Sequence, residues 1–580
     1  MFSKSLRIFL AAAITISAAS LSGCSFGNGI KTGTEISIGE MQGLDSLNAD
    51  VATSLKSEGP NTDLGQLTTV HFFTPDDSGD LVANSAFGSA KIVSKLPFTV
   101  AYTLTGSANW SDGTKVDATD LLLSWLAASH SEKYGFSSVR ANGGLRFATA
   151  IPKLSTDLNT LTVQFERPVT DWRTAIYPAV AAHTLAQSAF PADKLDARAA
   201  KSRFVQDVNT NNESDLALLG KQYVSAYSLA NGAHVATKFL VGAGPYLIGS
   251  ADSILGVKLT ANTNFNWGNQ PQIETINVRY YEDSIAMIAD IQLGKLDLAA
   301  TEESGAAKTQ QIIGVAKKAG LNLAVGLSQN IDTLQLNFRT GSVFAPQGAM
   351  ASKAATLRQA FLLAVPKVRI AESINSDYSV QNAASFFYAP DDIGYSATVK
   401  QNHSSSYAFQ NLETAGELLG SAGLTAPIDV RVLFDSTNPR EQLVWAELSK
   451  ISKQIGFNLV NASVTDPAGH INSGDYDVLI TQQPLFSLAN FAGVESVATD
   501  PLESASFANL VKKLALTSKP AKQQALAAQL DSALFAIGYG LPLYQAPTMV
   551  AYSTKVSGVS LSPLGNSAVW GYWHWQKAAK

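Results

Sequence analysis

The sequence predicts an α/β fold that is divided into several domain-sized units. The chain has 580 residues, which is too long for one hydrophobic core and suggests three or four units of about 100–200 residues each. Strand-like and helix-like segments alternate along most of the chain, as expected of sheets covered by helices. Residues 428–464 combine a strand, a helix and a second strand at the spacing of a parallel βαβ unit.

The predicted strands are short runs rich in β-branched and aromatic residues between turn residues. In chain order they are Glu35–Ile38, Phe98–Leu104, Leu161–Glu166, Ile273–Tyr281, Thr333–Phe338, Ile428–Phe434, Phe457–Val464, Tyr476–Ile480 and Leu541–Tyr544.

The helix of the βαβ unit has a clear beginning and end. Asn438 is a good N-cap and Pro439 suits the first helical position. Four apolar residues then recur on one helical face: Val444, Leu448, Ile451 and Ile455. Gly456 ends the helix before the next strand. A second long helix is predicted from Pro520 to Ile537, ended by Gly538.

Composition excludes several classes of protein. Hydrophobic residues make up 46% of the chain and charged residues only 15%, against about 25% charged in typical proteins. The net charge is 42 − 47 = −5, and the two signs are interleaved, so no basic stripe indicates nucleic-acid binding. One cysteine excludes intrachain disulfides and cysteine-ligated zinc or iron–sulfur sites.

The N-terminus predicts an export signal. Lys4 and Arg7 precede an uncharged apolar stretch, residues 8–21, whose 14 residues are too few for a bilayer that needs about 20. The stretch ends in Leu21-Ser22-Gly23-Cys24, which resembles the bacterial lipobox.

Accordingly, residues 1–23 are predicted to be a lipoprotein signal peptide and Cys24 the site of lipidation. Residues 24–34 would form a flexible tether. The protein is then extracytoplasmic and anchored to the cell membrane through its lipid alone. An ordinary signal peptide with an incidental cysteine is the alternative.

The segment from Trp110 to Trp125, Trp-Ser-Asp-Gly-Thr-Lys-Val-Asp-Ala-Thr-Asp-Leu-Leu-Leu-Ser-Trp, is the most specific motif. Its Asp112-Gly113 pair makes a tight turn, and Asp117 with Asp120 caps a helix. As a string it closely resembles the signature of the family 5 extracellular solute-binding proteins. These are receptors of ABC importers for oligopeptides, dipeptides and nickel.

Other segments match the same family in the same order, and together they cover about residues 35–575. They are residues 242–246, 259–267, 288–298, 336–339, 357–361, 415–424, 474–477, 542–544 and 570–575.

The resemblance implies a two-lobed periplasmic-binding-protein-like fold of type II, with an extra subdomain on lobe I. Lobe I would comprise residues 35–72, 168–302 and 541–580, the subdomain residues 73–167, and lobe II residues 303–540. The resemblance also implies a monomer that binds a short peptide between its lobes and delivers it to permease subunits of an ABC importer. No cofactor, metal or nucleic acid is expected.

Other functions stay open at this point. The ligand could be another small solute, such as a nickel chelate, an opine or an oligosaccharide. An exported hydrolase is a further alternative, although Gly-x-Ser-x-Gly, Ser-x-x-Lys and His-Glu-x-x-His are absent. We therefore expect a binding protein and not an enzyme.

Four places in the family contact the ligand, and each has a counterpart here. The matching residues are Asn61 and Thr62 after the opening strand, Tyr134 and Phe136 in the subdomain, Thr301, Glu302 and Glu303 before the second lobe, and Gln482, Gln483 and Phe486 after a late strand. For the first three places the alternatives are a surface loop, core packing and solvated acids, respectively. The last place lies at the carboxyl end of a strand, where open α/β sheets bind ligands.

The fourth place departs from the family pattern. Peptide-binding members carry an aspartate there that pairs with the α-ammonium of the peptide, but Val478–Val494 contains no Asp, Glu, Lys, Arg or His. The sequence therefore predicts a peptide with uncharged side chains. It assigns the ammonium to Glu302 first and Glu303 second.

Overall fold

A computed structural model describes most of the chain. The described residues are 29–41, 43–51, 58–77, 79–302, 306–328, 330–348, 350–374, 383–390, 392, 394–424, 427–451, 456–486, 494, 505–517, 519–545, 547–564 and 567–579. The predicted signal peptide, Cys24, Glu303 and Ile455 lie outside them. None of the helices within these ranges is long and apolar enough to span a membrane.

Strands and helices alternate as predicted. In chain order the strands are β1 (Lys31–Met41), β2 (Phe73–Pro75), β3 (Leu81–Ala83), β4 (Gly88–Lys95), β5 (Phe98–Leu104), β6 (Lys153–Leu154), β7 (Thr160–Phe165), β8 (Tyr246–Asp252), β9 (Gly256–Ala261), β10 (Ile273–Tyr281), β11 (Leu298–Glu302), β12 (Asn322–Leu327), β13 (Asn330–Leu336), β14 (Ile428–Leu433), β15 (Phe457–Asn461), β16 (Val478–Pro484), β17 (Gly540–Tyr544), β18 (Pro547–Tyr552), β19 (Val556–Ser557) and β20 (Gln576–Lys577). The α-helices are α1 (Glu58–Thr68), α2 (Ala118–Ser129), α3 (Ser131–Tyr134), α4 (Ala182–Ala189), α5 (Ala197–Asn209), α6 (Glu213–Ser225), α7 (Ser284–Gln292), α8 (Ala306–Lys318), α9 (Ala354–Ala364), α10 (Lys367–Ile374), α11 (Tyr395–Val399), α12 (Leu412–Ser421), α13 (Pro439–Leu448), α14 (Ala505–Ala515) and α15 (Pro520–Ile537).

The first lobe is built on a sheet with the strand order β12-β18-β11-β1-β10-β9-β8. Strand β1 is parallel to β10 and β11, whereas β9 and β18 run antiparallel to their neighbours. Because β12 is antiparallel to β18, the carboxyl ends of β1, β10, β11 and β12 all lie at one edge of this sheet.

The second lobe is built on a sheet with the order β15-β14-β16-β13-β17. Strand β14 is parallel to β15 and β16, and β13 is antiparallel to β16 and β17. One edge therefore carries the amino end of β13 and the carboxyl ends of the other four strands.

Within the described residues, the chain crosses between the lobes at two points. Strand β12 ends at Leu327 and β13 begins at Asn330, while β17 ends at Tyr544 and β18 begins at Pro547. Both crossings join the two edges just described, so these edges face each other.

The crossings correct the predicted domain boundaries. Lobe II was expected to begin at residue 303, but β12 belongs to the first sheet. Lobe I was expected to resume at residue 541, but β17 belongs to the second sheet. The reason is that strand membership depends on hydrogen bonds to distant strands, which a local pattern does not reveal.

The subdomain contains a four-stranded antiparallel sheet, β4-β5-β7-β6. Helix α2 packs on it and begins with the predicted cap: the Asp117 carboxylate accepts from Thr119 N at 2.9 Å, and Asp120 accepts from Asp117 N at 3.0 Å. The buried side chains of this sheet and helix belong to the same hydrophobic core as the first lobe.

The predicted βαβ unit is confirmed. Strands β14 and β15 pair in parallel from Ile428 opposite Phe457. The Asn438 side chain caps α13 by accepting from Arg440 N at 3.0 Å. The predicted apolar face of this helix is buried at Val444, Leu448 and Ile451.

Candidate functional site

The two facing strand edges bring together residues that are far apart in sequence. Thr301 and Glu302 end β11 on the first lobe, whereas Gln482 and Gln483 lie near the end of β16 on the second lobe. The sequence placed both glutamines just after this strand, but the strand runs to Pro484 and includes them. In the antiparallel β11–β18 ladder, Glu302 lies opposite Thr548.

Asp332 places an acid beside β16, which has none of its own between Val478 and Pro484. In the β13–β16 ladder it lies directly opposite Gln482, and only 1% of its surface is exposed. Its Oδ1 lies 3.7 Å from Arg440 Nε. The sequence prediction missed Asp332 because the predicted strand began one residue later and because the pairing joins strands about 150 residues apart.

Three further polar residues surround the beginning of α13. The Glu441 carboxylate accepts from Asp435 N at 2.7 Å, and Asn438 Nδ2 donates to its other oxygen at 3.1 Å. Burial raises the pKa of Glu441 to about 7, and the nearby carboxylates of Asp332 and Asp435 contribute to the shift. We call Asp332, Asp435, Arg440 and Glu441 the carboxyl cluster.

The carboxyl cluster holds three acids and one guanidinium, so its charge is not balanced internally. Within the described ranges, no group of three or more His, Cys, Asp or Glu side chains is placed to hold a metal ion. A cationic group of a ligand is the charge that this arrangement favours.

Three buried polar atoms near the crossings have unused hydrogen-bonding capacity. Within the described part of the chain, Thr301 Oγ1, Gln483 Nε2 and Gln545 Oε1 have no hydrogen-bond partner. Gln545 links the two crossings, since its Nε2 in the second crossing donates to the Ser328 carbonyl in the first at 2.8 Å. Buried polar atoms are normally paired, so these three are suited to a polar ligand.

The remaining predicted residues of the second lobe and the subdomain lie in hydrophobic cores. Phe486 packs against Phe386 and Phe387, and Phe136 packs edge-on against Tyr223 with no exposed surface. Tyr134 is buried and donates its hydroxyl to Asn211 Oδ1 at 2.9 Å. These placements favour the core-packing alternative for all three aromatic residues.

Asn61 and Thr62 lie in α1 and not in the loop that the sequence predicted. Asn61 is buried and Thr62 is exposed. The loop that does follow β1 comes earlier, at residues 43–51, and starts at the edge that faces the second lobe.

An ion pair that the sequence prediction missed fixes this loop. Arg140 Nε and Nη2 bind the two carboxylate oxygens of Asp50 at 2.6 and 2.7 Å. The hydroxyls of Tyr223 and Ser138 also donate to Asp50, at 2.6 and 3.0 Å. The loop is thereby tied to the subdomain by a buried polar network.

Comparisons with known proteins agree with this geometry. The model of the bacterial extracellular solute-binding proteins, family 5 Middle, matches residues 93–491. An uncharacterized lipoprotein of Mycobacterium leprae is 22% identical over 556 residues, which cover 92% of this chain and 91% of the relative. The oligopeptide-binding protein OppA of Mycobacterium bovis is 23% identical over 560 residues, covering 90% of this chain and 80% of the relative.

A solved structure supports the fold. The periplasmic EDTA-binding protein EppA matches with a TM-score of 0.67 and 17% identity, covering 96% of this chain and 100% of that one. At this level of identity the match shows the two-lobed fold alone.

Proposed function

Because this chain belongs to the bacterial extracellular solute-binding proteins of family 5, and is thus the substrate-binding receptor of an ABC importer, we propose that it binds a short peptide between its two lobes. The family consists of solute-binding proteins, so the cleft would bind its ligand and not transform it. The lipobox and the relatives named as lipoproteins support attachment to the cell membrane through Cys24.

The single observation that carries the peptide proposal is the position of Asp332. A peptide's α-ammonium needs an acidic partner, since burying it unpaired costs several kcal/mol. Asp332 lies beside Gln482, next to the place where the family aspartate is missing. Although Arg440 lies 3.7 Å from one oxygen, Asp435 and Glu441 leave the carboxyl cluster with more acids than bases. We therefore assign the ammonium to Asp332, with Glu302 as the second candidate.

The uncharged groups at the crossings would bind the peptide backbone. Thr301 offers a hydroxyl, and Gln483 and Gln545 offer amide groups. Such groups pair with peptide N–H and C=O groups whatever the side chains are. The preference for uncharged side chains is supported separately, by the lack of any charged residue in Val478–Val494.

Calorimetry with a short peptide of uncharged residues and its N-acetylated form tests the assignment. The substitution Asp332→Asn should weaken binding of the free peptide by about 2–5 kcal/mol, or roughly 30- to 5,000-fold. Acetylation should cost the wild type a similar amount and the variant little more, as expected of coupled groups. Glu302→Gln, measured in parallel, shows whether the first lobe shares the role.

A matched control is Asp429→Asn, which removes an exposed carboxylate at the opposite end of β14 and should leave both affinities unchanged. If free and acetylated peptides bind the wild type equally, the ligand is not a peptide held by its amino terminus.

Arg440 favours a second candidate, a small solute bearing carboxylates, such as a metal chelate or an opine. A guanidinium binds carboxylates through paired hydrogen bonds, and the structurally similar EppA is described as an EDTA-binding protein. Arg440→Gln should then abolish binding of a chelate such as nickel–EDTA. Mass spectrometry of the molecule that co-purifies with the protein distinguishes the two candidates directly, and turnover of that molecule would instead identify an enzyme.

A further inference from the structure

Two carboxyl groups face each other inside the first lobe, apart from the carboxyl cluster. Glu40 is the penultimate residue of β1, and Asp63 lies in α1. Both side chains are buried and they are hydrogen-bonded to each other. Two carboxyl groups that share a hydrogen bond are held together only if one of them carries a proton, because two ionised carboxylates repel each other.

The hydrogen bonds around the pair show which group holds the proton. Asp63 accepts from the Ser567 hydroxyl at 2.6 Å and from Ala568 N at 2.7 Å. These donors favour a charged Asp63, so the proton belongs to Glu40. Burial and the facing Asp63 raise the pKa of Glu40 well above its usual range. Burial also raises the pKa of Asp63, although these hydrogen bonds oppose the shift.

The surroundings of the pair are otherwise apolar. Leu44, Leu64, Leu67, Val257, Leu259 and Val569 line the small cavity beside it. Among the described residues that line this cavity, the titratable groups are Glu40 itself, Asp63 from α1 and Tyr280 from β10. Tyr280 lies opposite Glu40 in the β1–β10 ladder. Burial raises the pKa of Tyr280, and Glu40 and Asp252, the last residue of β8, raise it further. Tyr280 is therefore neutral. None of the described lining residues is a cation that would neutralise Glu40.

We propose that Glu40 and Asp63 share one proton at neutral pH, and that this proton latches residues 567–569 onto the first lobe. The latch joins β1, α1 and a segment about 500 residues away. It lies close to the edge that faces the second lobe, because Leu44 belongs to the loop that follows β1. Loss of the proton separates the two carboxylates and releases the C-terminal segment from α1. The latch is independent of the ligand and of the proposed function.

The latch is tested by the hydrogen-exchange rates of the backbone amides of Ala568 and Val569. These rates are measured by mass spectrometry on the detergent-solubilised full chain and corrected for intrinsic exchange. One proton bound only by the latched state makes the opening constant rise about tenfold per pH unit wherever the latched state keeps the proton and the open state has lost it. The wild type should lose protection with that slope. In Glu40→Gln the amide still donates to Asp63, so protection should persist and no longer depend on pH.

Two further variants complete the experiment. Glu40→Met removes the titrating carboxyl group, leaves both acceptor oxygens of Asp63 in place and should also flatten the profile, so the test does not depend on the folding of one variant. Asp531→Asn is the matched control, since it changes a buried carboxyl group of the second lobe outside the carboxyl cluster and should leave the wild-type slope at Ala568. A flat profile in the wild type, or a wild-type slope in Glu40→Gln, overturns the proposal.

Discussion

Replacing Asp50 by alanine should destabilise the first lobe strongly. Asp50 is fully buried and accepts two hydrogen bonds from Arg140 at 2.6 and 2.7 Å. The hydroxyls of Tyr223 and Ser138 also donate to it. Alanine would leave the guanidinium, whose side chain is only 13% exposed, without its counter-ion. The hydroxyls of Tyr223, Ser138 and Tyr177 would lose this acceptor.

The magnitude follows from this burial. Removing one partner of a buried ion pair costs about 3–5 kcal/mol, since the remaining charge is uncompensated. An exposed pair of nearly equal length provides the comparison: Lys133 and Glu213 are 2.7 Å apart, with 47% and 63% of their side chains exposed. Glu213→Ala should cost only about 0–1 kcal/mol.

Urea unfolding followed by tryptophan fluorescence measures both variants. With a slope of about 3 kcal/mol per M, the transition of the first lobe should shift by roughly 1 M in Asp50→Ala. Adding Arg140→Met to Asp50→Ala should recover part of the loss, because it removes the unpaired charge. A loss no larger than that of Glu213→Ala would refute the reasoning.

Three more predictions follow from the sequence and the structure. Cys24→Ala should abolish metabolic labelling with a fatty acid, because the chain has no other cysteine; label that persists in the variant would contradict lipidation at Cys24. The folded protein retains the proton of Glu441 up to about pH 7, whereas the unfolded chain releases it near pH 4.5. The free energy of unfolding should therefore fall by about 3 kcal/mol as the pH rises between these values. Urea unfolding at a series of pH values should show this fall in the wild type and a flatter dependence in Glu441→Gln; the same pH dependence in both would show that Glu441 titrates normally. Gly256→Ala should lower the melting temperature, because Gly256 has a φ of +118° and its added Cβ would collide with the Val278 carbonyl. Gly314→Ala, in α8 with open space around it, is the control and should be neutral or stabilising.

Local features of the fold could be predicted from the sequence. The cap of α2, the βαβ unit and the glycine at the end of α15 depend on residues within a few positions of each other. The first two were found where predicted, and Gly538 ends α15 in the left-handed conformation. Capping and helical periodicity are short-range effects, so a single segment carries all the information they require.

The arrangement of the candidate site depended on the tertiary structure. Asp332 lies beside Gln482 only because β13 and β16 pair, and the crossings lie at residues 328 and 545 only because β12 and β17 join particular sheets. Phe136 and Phe486 illustrate the same limit, since an aromatic residue suits a core and a binding pocket equally well and only burial distinguishes them. The Asp50–Arg140 pair and the Glu40–Asp63 latch likewise join distant segments. Electrostatic pairing acts through space, and sequence spacing carries no information about which buried charges meet.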